Sequence, residues 1–260
     1  MESIAVLAHP SVQYLLRVGD TCLILAQRLA EWCGHAPIVE EDIALSNMAL
    51  DLIGQARGVL TRAGQLEGEL GGTPHDEDQL AFLRDERDFR NCTLVELPRG
   101  DFAVTMLRNL AVAIFLELLW RRLEGSRDGE LAAIAGKAVK EARYHREHAA
   151  DWVVRLGDGT DESAARLAAA LDLLWPYMAE LFDADAIDAA AEAAQLGPRW
   201  ADLRDEWRLA FGAVLAAAGL ALPGDRAFRS TGKQGRHSEH LGYLLAEMQH
   251  LQRAFPAGVW

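Results

Sequence analysis

The sequence predicts an all-α protein, a four-helix bundle with additional C-terminal helices. Three observations carry that prediction. Four long segments repeat apolar side chains at spacings of three and four, the period that keeps residues on one helix face. Short breaks separate the segments, among them Gly34-His35-Ala36-Pro37, Gly71-Gly72-Thr73-Pro74 and Pro98-Arg99-Gly100. No stretch alternates apolar and polar residues as a half-buried strand does. With 260 residues, 50% of them hydrophobic, the chain can bury a sizeable core. It is predicted as a single helical domain over 1–260, with the core bundle over about 12–156 and a helical extension over about 160–260.

Helix one is expected from about Val12 to Cys33. Leu15, Val18, Cys22, Leu25, Leu29 and Trp32 form one stripe, and Leu16, Asp20, Leu23, Ile24, Gln27 and Glu31 form a second. A helix apolar on two faces lies between neighbours. Helix two, about Glu40 to Leu66, opens with Glu40, Glu41 and Asp42, which suit the positive end of the helix dipole. Its core side reads Leu45, Ala49, Leu52, Ala56 and Val59, with Asn47 and Asp51 one turn apart. Asp76 to Phe89 reads as a short charged helix whose charged face is solvated or at an interface. Helix three spans about Phe102 to Glu124 and sets Glu117 among Ala113, Ile114 and Trp120. Helix four ends near Leu156. Beyond it, Thr160 can cap a helix to Phe182, and Pro176 predicts a kink near Leu173 or Leu174. Further helices are expected over Ala184–Gln195, Trp200–Leu222 and Ser238–Ala254, the last with Leu241, Leu244, Met248 and Leu251 inward.

Composition narrows the function classes. A net charge of −13 disfavours nucleic acid as a partner, because phosphate binding rests on basic surface. The start, MESIAVLAHP, lacks the basic flank and apolar length of a secretory signal. The longest apolar run, taken as Val214 to Leu222, is too short to cross a membrane. A cytoplasmic, membrane-free protein is expected. Cys22, Cys33 and Cys92 are odd in number and lack C-x-x-C spacing, which points to reduced, buried thiols.

The chemistry question is raised by helix four. Ile134, Ala138, Glu141, His145, His148 and Trp152 share one face, so half of an expected buried seam is polar. Burying a Glu and two His requires hydrogen-bond partners, charge partners or a metal. A ferritin-like di-iron bundle takes one Glu from each of two helices and a Glu-x-x-His pair from each of the other two. Here Asp51 is followed three residues on by Gly54, and Glu141 by Tyr144, so both histidine positions are lost. Slipping to the fourth residue recovers Gln55 and His145, one imidazole in all. Glu31, Asp51, Glu117, Glu141 and His145 are the candidates for a residual or mononuclear site. The competing expectation is a bundle interior in which these groups and nearby Arg or Lys neutralise one another; that expectation is the favoured one, and no metal is expected in this chain.

Two weaker motifs remain. Glu247-x-x-His250 is the literal Glu-x-x-His of the chain, on the terminal helix and without a second pair. The loop from Pro223 carries Arg226, Arg229, Lys233 and Arg236, a basic patch that could grip a phosphate-bearing ligand or an acidic partner surface. Its T-G-K-Q lacks the first Gly of a P-loop. No nucleophile triad is recognisable.

The runs GDTCLILAQRLAEWCGHAP from Gly19, LSNMALDLIGQARGVL from Leu45, KEARYHREHAADWVVRLGDGTDES from Lys140, LFDADAID from Leu181 and HSEHLGYLLAEMQHLQRAFP from His237 resemble the PaaC-type subunits of bacterial phenylacetyl-CoA ring epoxidases. The likeness extends over nearly the whole chain. It implies a ferritin-like fold and a structural, non-catalytic role in aerobic phenylacetate degradation. In such complexes a homologous PaaA-type subunit holds the di-iron centre, a small further subunit joins, and a reductase delivers electrons from NADPH. On this resemblance, Gly54 and Tyr144 mark the inactive half of a duplicated pair. Two rival expectations are an iron-dependent oxygenase in its own right and a free-standing helical scaffold.

Overall fold

The computed structural model describes residues 3–256 and 258, and among them ten α-helices and no strand. The helices are α1 Pro10–Ala30, α2 Val39–Glu69, α3 Glu77–Phe82, α4 Thr93–Glu96, α5 Phe102–Leu123, α6 Gly129–Gly157, α7 Asp161–Met178, α8 Ala186–Ala193, α9 Arg204–Ala217 and α10 Glu239–Ala254. The long helices α1, α2, α5 and α6 form the ferritin-like bundle. α1 packs along α2, α5 packs along α6, and α2 against α6 joins the two hairpins. The α2–α6 register is antiparallel: Glu41 meets His148, Asp51 meets His145, Gln55 meets Glu141 and Arg62 meets Asp128.

Local chemistry sets the boundaries. Asp101, Asp128, Thr160 and Asp185 each accept a backbone N–H in the first turn of the helix that follows, satisfying donors that have no partner within the helix. Pro10 opens α1 at a position where its missing N–H costs nothing. Pro176 lies inside α7, which continues as α-helix to Met178 and tightens into a 3-10 turn over Ala179–Phe182.

The later helices are fastened to the bundle by aromatic packing. Phe115 of α5 meets Trp200 at 4.8 Å and Phe182 at 6.1 Å between ring centroids. Trp207 of α9 stacks on Phe211 at 4.6 Å and donates its indole N–H to the Ala111 carbonyl at 2.7 Å. Such edge and stacked pairs add to the area they bury. α10 lies on α3 and α4, with Gln249 donating to the carbonyls of Ala81 and Arg84.

Several expectations are corrected. The longest apolar segment is α5 rather than Val214–Leu222: within its 22 residues an 18-residue stretch reaches a mean hydropathy of 1.8, enough by length and composition to cross a membrane, and 94% of that stretch is buried in the protein. α5 is the central helix of the core. α1 stops at Ala30, leaving Glu31 as its cap. The buried stripe of α6 is Leu131, Ala135, Ala138, Val139, Ala142, His145, Ala149 and Val153. Glu141, His148 and Trp152 are only half-buried: Glu141 and His148 reach sideways to Gln55 and Glu41 of α2, and Trp152 packs edge-on against Phe102 at 5.0 Å. Cys33 is exposed, while Cys22 and Cys92 are buried and burial pushes both thiols well above the ordinary range. Leu251 is exposed and Met248 only half-buried, so α10 rolls to bury Leu241, Leu244, Leu245 and Gln249. In the charged Asp76–Phe89 segment, Arg84 is fully buried against Asp20.

Candidate functional site

The place where a ferritin-like bundle offers chemistry is the level of Gln55 on α2 and Glu141 on α6. Gln55 is buried because its position faces the bundle axis, one turn past the half-buried Asp51. Its amide N–H donates to Glu141 Oε2 at 3.0 Å, and its carbonyl oxygen accepts the Trp120 indole N–H at 3.2 Å and the Cys22 thiol at 3.8 Å. All four bundle helices thus contribute one group to a hydrogen-bonded layer. Trp120 is wholly buried, so an indole fills the volume beside the amide.

The five candidate ligands are dispersed around this layer. His145 is buried and its Nε2 meets Asp51 Oδ2 at 3.1 Å. Burial drives the His145 pKa below the ordinary value, the Asp51 contact opposing without overcoming it. Glu141 is occupied by Gln55 and by Lys137 at 3.4 Å. Glu117 is buried under three guanidinium groups, Arg121 at 2.9 Å, Arg146 at 2.9 Å and Arg143 at 3.5 Å. Glu31 caps α1 and pairs with Arg28; nine residues beyond Cys22, it lies about 13 Å further along the helix axis. His148 binds Glu41 at 2.8 Å. Gly54 and Tyr144 are both exposed, so the residues three past Asp51 and Glu141 point out of the bundle.

This donor set does not fit a two-iron centre. Such a centre needs four to six carboxylate and imidazole groups converging on one volume. Here each acid is already paired with a cation, an amide or an imidazole, and the volume between helices holds Gln55 and Trp120. Among the described residues, no group of three His, Cys, Asp or Glu side chains lies close enough to share an ion.

The remaining motifs are likewise resolved. Glu247 and His250 are both exposed. The four cations of the 223–236 loop do not act together. Lys233 is buried, which corrects its reading as a surface contact: its Nζ donates to the Asp183 carbonyl at 2.7 Å and sits 4.9 Å over the Trp200 ring. Arg226 pairs with Asp172 at 3.2 Å and Arg229 with Asp183 at 3.5 Å. Arg236 is exposed.

Sequence reasoning missed the acids that anchor this loop. Glu180 accepts the backbone N–H groups of Thr93 and Lys233 and the Ser230 hydroxyl. Glu96 accepts from Asn91, His237 and the Ser238 N–H. Both are buried. Their signal in the sequence is faint: each stands among apolar neighbours, Leu94-Val95-Glu96-Leu97 and Met178-Ala179-Glu180-Leu181, in helices of four residues. Gly232 makes the approach possible, since a Cβ there would fall 2.5 Å from the Asn91 carbonyl oxygen.

Fold and site together define a ferritin-like helical protein whose bundle centre is closed by its own side chains. Comparison with known proteins gives the family. A family model described as "Phenylacetic acid catabolic protein" (PaaA_PaaC) matches residues 2–260. The chain is 50% identical over 249 residues to the C subunit of 1,2-phenylacetyl-CoA epoxidase from Escherichia coli (strain K12), covering 95% of this chain and 98% of that protein. The chain belongs to the phenylacetic acid catabolic protein family.

Proposed function

We propose that this chain is a non-catalytic structural subunit of a multicomponent phenylacetyl-CoA epoxidase. In this reading it pairs, as a single ferritin-like domain, with a homologous di-iron subunit that performs ring epoxidation. A small further subunit and an NADPH-dependent reductase complete the system. The relative's name, which makes it one subunit of an epoxidase, supports the assembly. The observation that carries the structural role is the Cys22–Gln55–Trp120–Glu141 layer, which occupies the bundle centre with hydrogen bonds satisfied within the chain. A centre of this kind holds four helices in register and leaves no converging carboxylates.

Reconstitution tests the reading. Phenylacetyl-CoA, dioxygen, NADPH and the reductase are supplied to this chain alone, to the di-iron subunit alone, and to the two together. The two together are expected to form the epoxide, and this chain alone none. Turnover by this chain alone would contradict the proposal and favour an oxygenase in its own right.

A further inference from the structure

Among the described residues three arginine side chains are wholly buried, Arg17, Arg84 and Arg108. Taking a guanidinium out of water is costly unless an anion takes the place of its hydration. Arg17 lies against Asp185 and Asp188, and Arg84 against Asp20. Arg108 has no carboxylate at ion-pair distance among the described residues. Its Nη1 donates to the backbone carbonyls of Leu97 at 2.8 Å and Pro98 at 3.2 Å, while its Nε and Nη2 meet no acceptor. Burial, reinforced by Arg28 and opposed by Glu31, lowers its pKa to about 10, so the group is still a cation at neutral pH.

The neighbours do not supply the missing charge. Arg108 lies by the Leu97-Pro98 stretch, close to Arg28 and Glu31 at the end of α1. Glu31 is already paired with Arg28, whose Nε and Nη2 donate to the Glu96 carbonyl at 3.2 and 2.7 Å. The Glu96 carboxylate is taken by Asn91 and His237. Arg99 brings a third guanidinium, donating to the Glu31 carbonyl at 2.7 Å. Three cations thus gather around one carboxylate in a chain of net charge −13. The Nε–H and one Nη2–H of a guanidinium leave the same edge in parallel, a fork that a single anion can accept from both donors. Pro98, whose carbonyl Arg108 binds, is itself exposed, so solvent is one residue away.

We infer that Arg108 is the receptor of a buried monovalent anion, a halide or a carboxylate of formate size, held on Nε and Nη2. The ion neutralises the guanidinium and ties the end of α1, the Leu97-Pro98 stretch and the start of α5 together. The inference is independent of the epoxidase reading.

Thermal melts of the full chain in sodium chloride, sodium formate and sodium gluconate at equal ionic strength are the test, gluconate being too large for a buried site. The wild-type midpoint is expected to rise by about 3–5 °C from gluconate to a chloride or formate concentration ten times the dissociation constant, and the salt with the larger rise names the ion. Arg108→Met keeps the apolar stem without the fork and is expected to show no rise. An equal rise in wild type and Arg108→Met, or none in wild type, overturns the inference. Should Arg108→Met fail to fold, wild-type crystals soaked in sodium bromide decide: an anomalous peak within hydrogen-bond distance of Arg108 Nε and Nη2 is expected, and its absence overturns the inference. A bromide peak in a protein whose midpoint ignores chloride and formate is an adventitious ion only, and also overturns it.

Discussion

The bundle centre and the loop anchor use polar residues in opposite ways. At the centre, Asp51, Glu141 and His145 form short-range pairs across the α2–α6 groove, and two of the three are only half-buried. Around the 223–237 loop, Glu96, Glu180 and His237 are more deeply buried and each binds several groups from distant parts of the chain. The residues that look like a metal site are the less demanding ones energetically. The residues under the strongest physical constraint are structural acids. A deep carboxylate with two or three N–H or O–H donors is already satisfied and has little left to offer a ligand.

The comparison can be broken most severely at Asp20. Its carboxylate holds the Arg84 guanidinium, with Nη1 at 3.0 Å, and accepts the Arg90 N–H at 2.8 Å; the Asp20 and Arg84 side chains are both fully buried. Asp20→Ala leaves an unpaired buried cation and is expected to cost about 3–5 kcal/mol in denaturant unfolding. A loss under about 1 kcal/mol would show that the pair is hydrated in solution. Glu180→Ala comes next, removing three acceptor contacts for about 1–3 kcal/mol, and is expected to release Ser230–Gln234 first, as faster amide exchange at Lys233. Gln55→Leu should cost less, about 1–2 kcal/mol, because an apolar group of similar size replaces the amide and strands the Trp120 and Cys22 donors and one Glu141 oxygen.

The smallest expected effect is a pH dependence of opposite sign at two histidines. Burial opposes charge on His237, yet Glu96 at 2.7 Å and the Phe89 carbonyl at 3.1 Å outweigh it and hold its pKa above 6.5. Its contribution is complete below pH 6.5 and fades as pH rises through the folded value. His145 is shifted downward by burial, so its contribution is present above pH 6.5 and is lost as pH falls. His237→Gln is therefore expected to destabilise more at pH 5.5 than at pH 8, and His145→Gln more at pH 8 than at pH 5.5. Parallel pH profiles for the two variants would remove the distinction between the regions.

Much of this architecture is legible in the sequence because long helices declare themselves by period and by caps. The four bundle helices fall within a few residues of the expected bounds, and Thr160 caps the helix it was expected to cap. The mismatch at Gly54 and Tyr144 is also legible, since it needs only the spacing of residues on one helix. Rotation about each helix axis is not: a turn of some tens of degrees puts Gln55 rather than Asp51 inside and leaves Glu141 at the edge. Loop packing is equally hidden. Lys233 sits in a basic-looking loop, but the chain folds it against the Trp200 ring and the Asp183 carbonyl, contacts that no local pattern encodes.

The central claim, that this chain's bundle centre is closed by its own side chains and the metal belongs to a partner, is tested most directly by iron content per chain. The protein is purified alone from iron-supplemented cells, and again after co-expression with the di-iron subunit. The account predicts essentially no iron in the isolated chain and iron in the complex only. Close to two irons per isolated chain would contradict it.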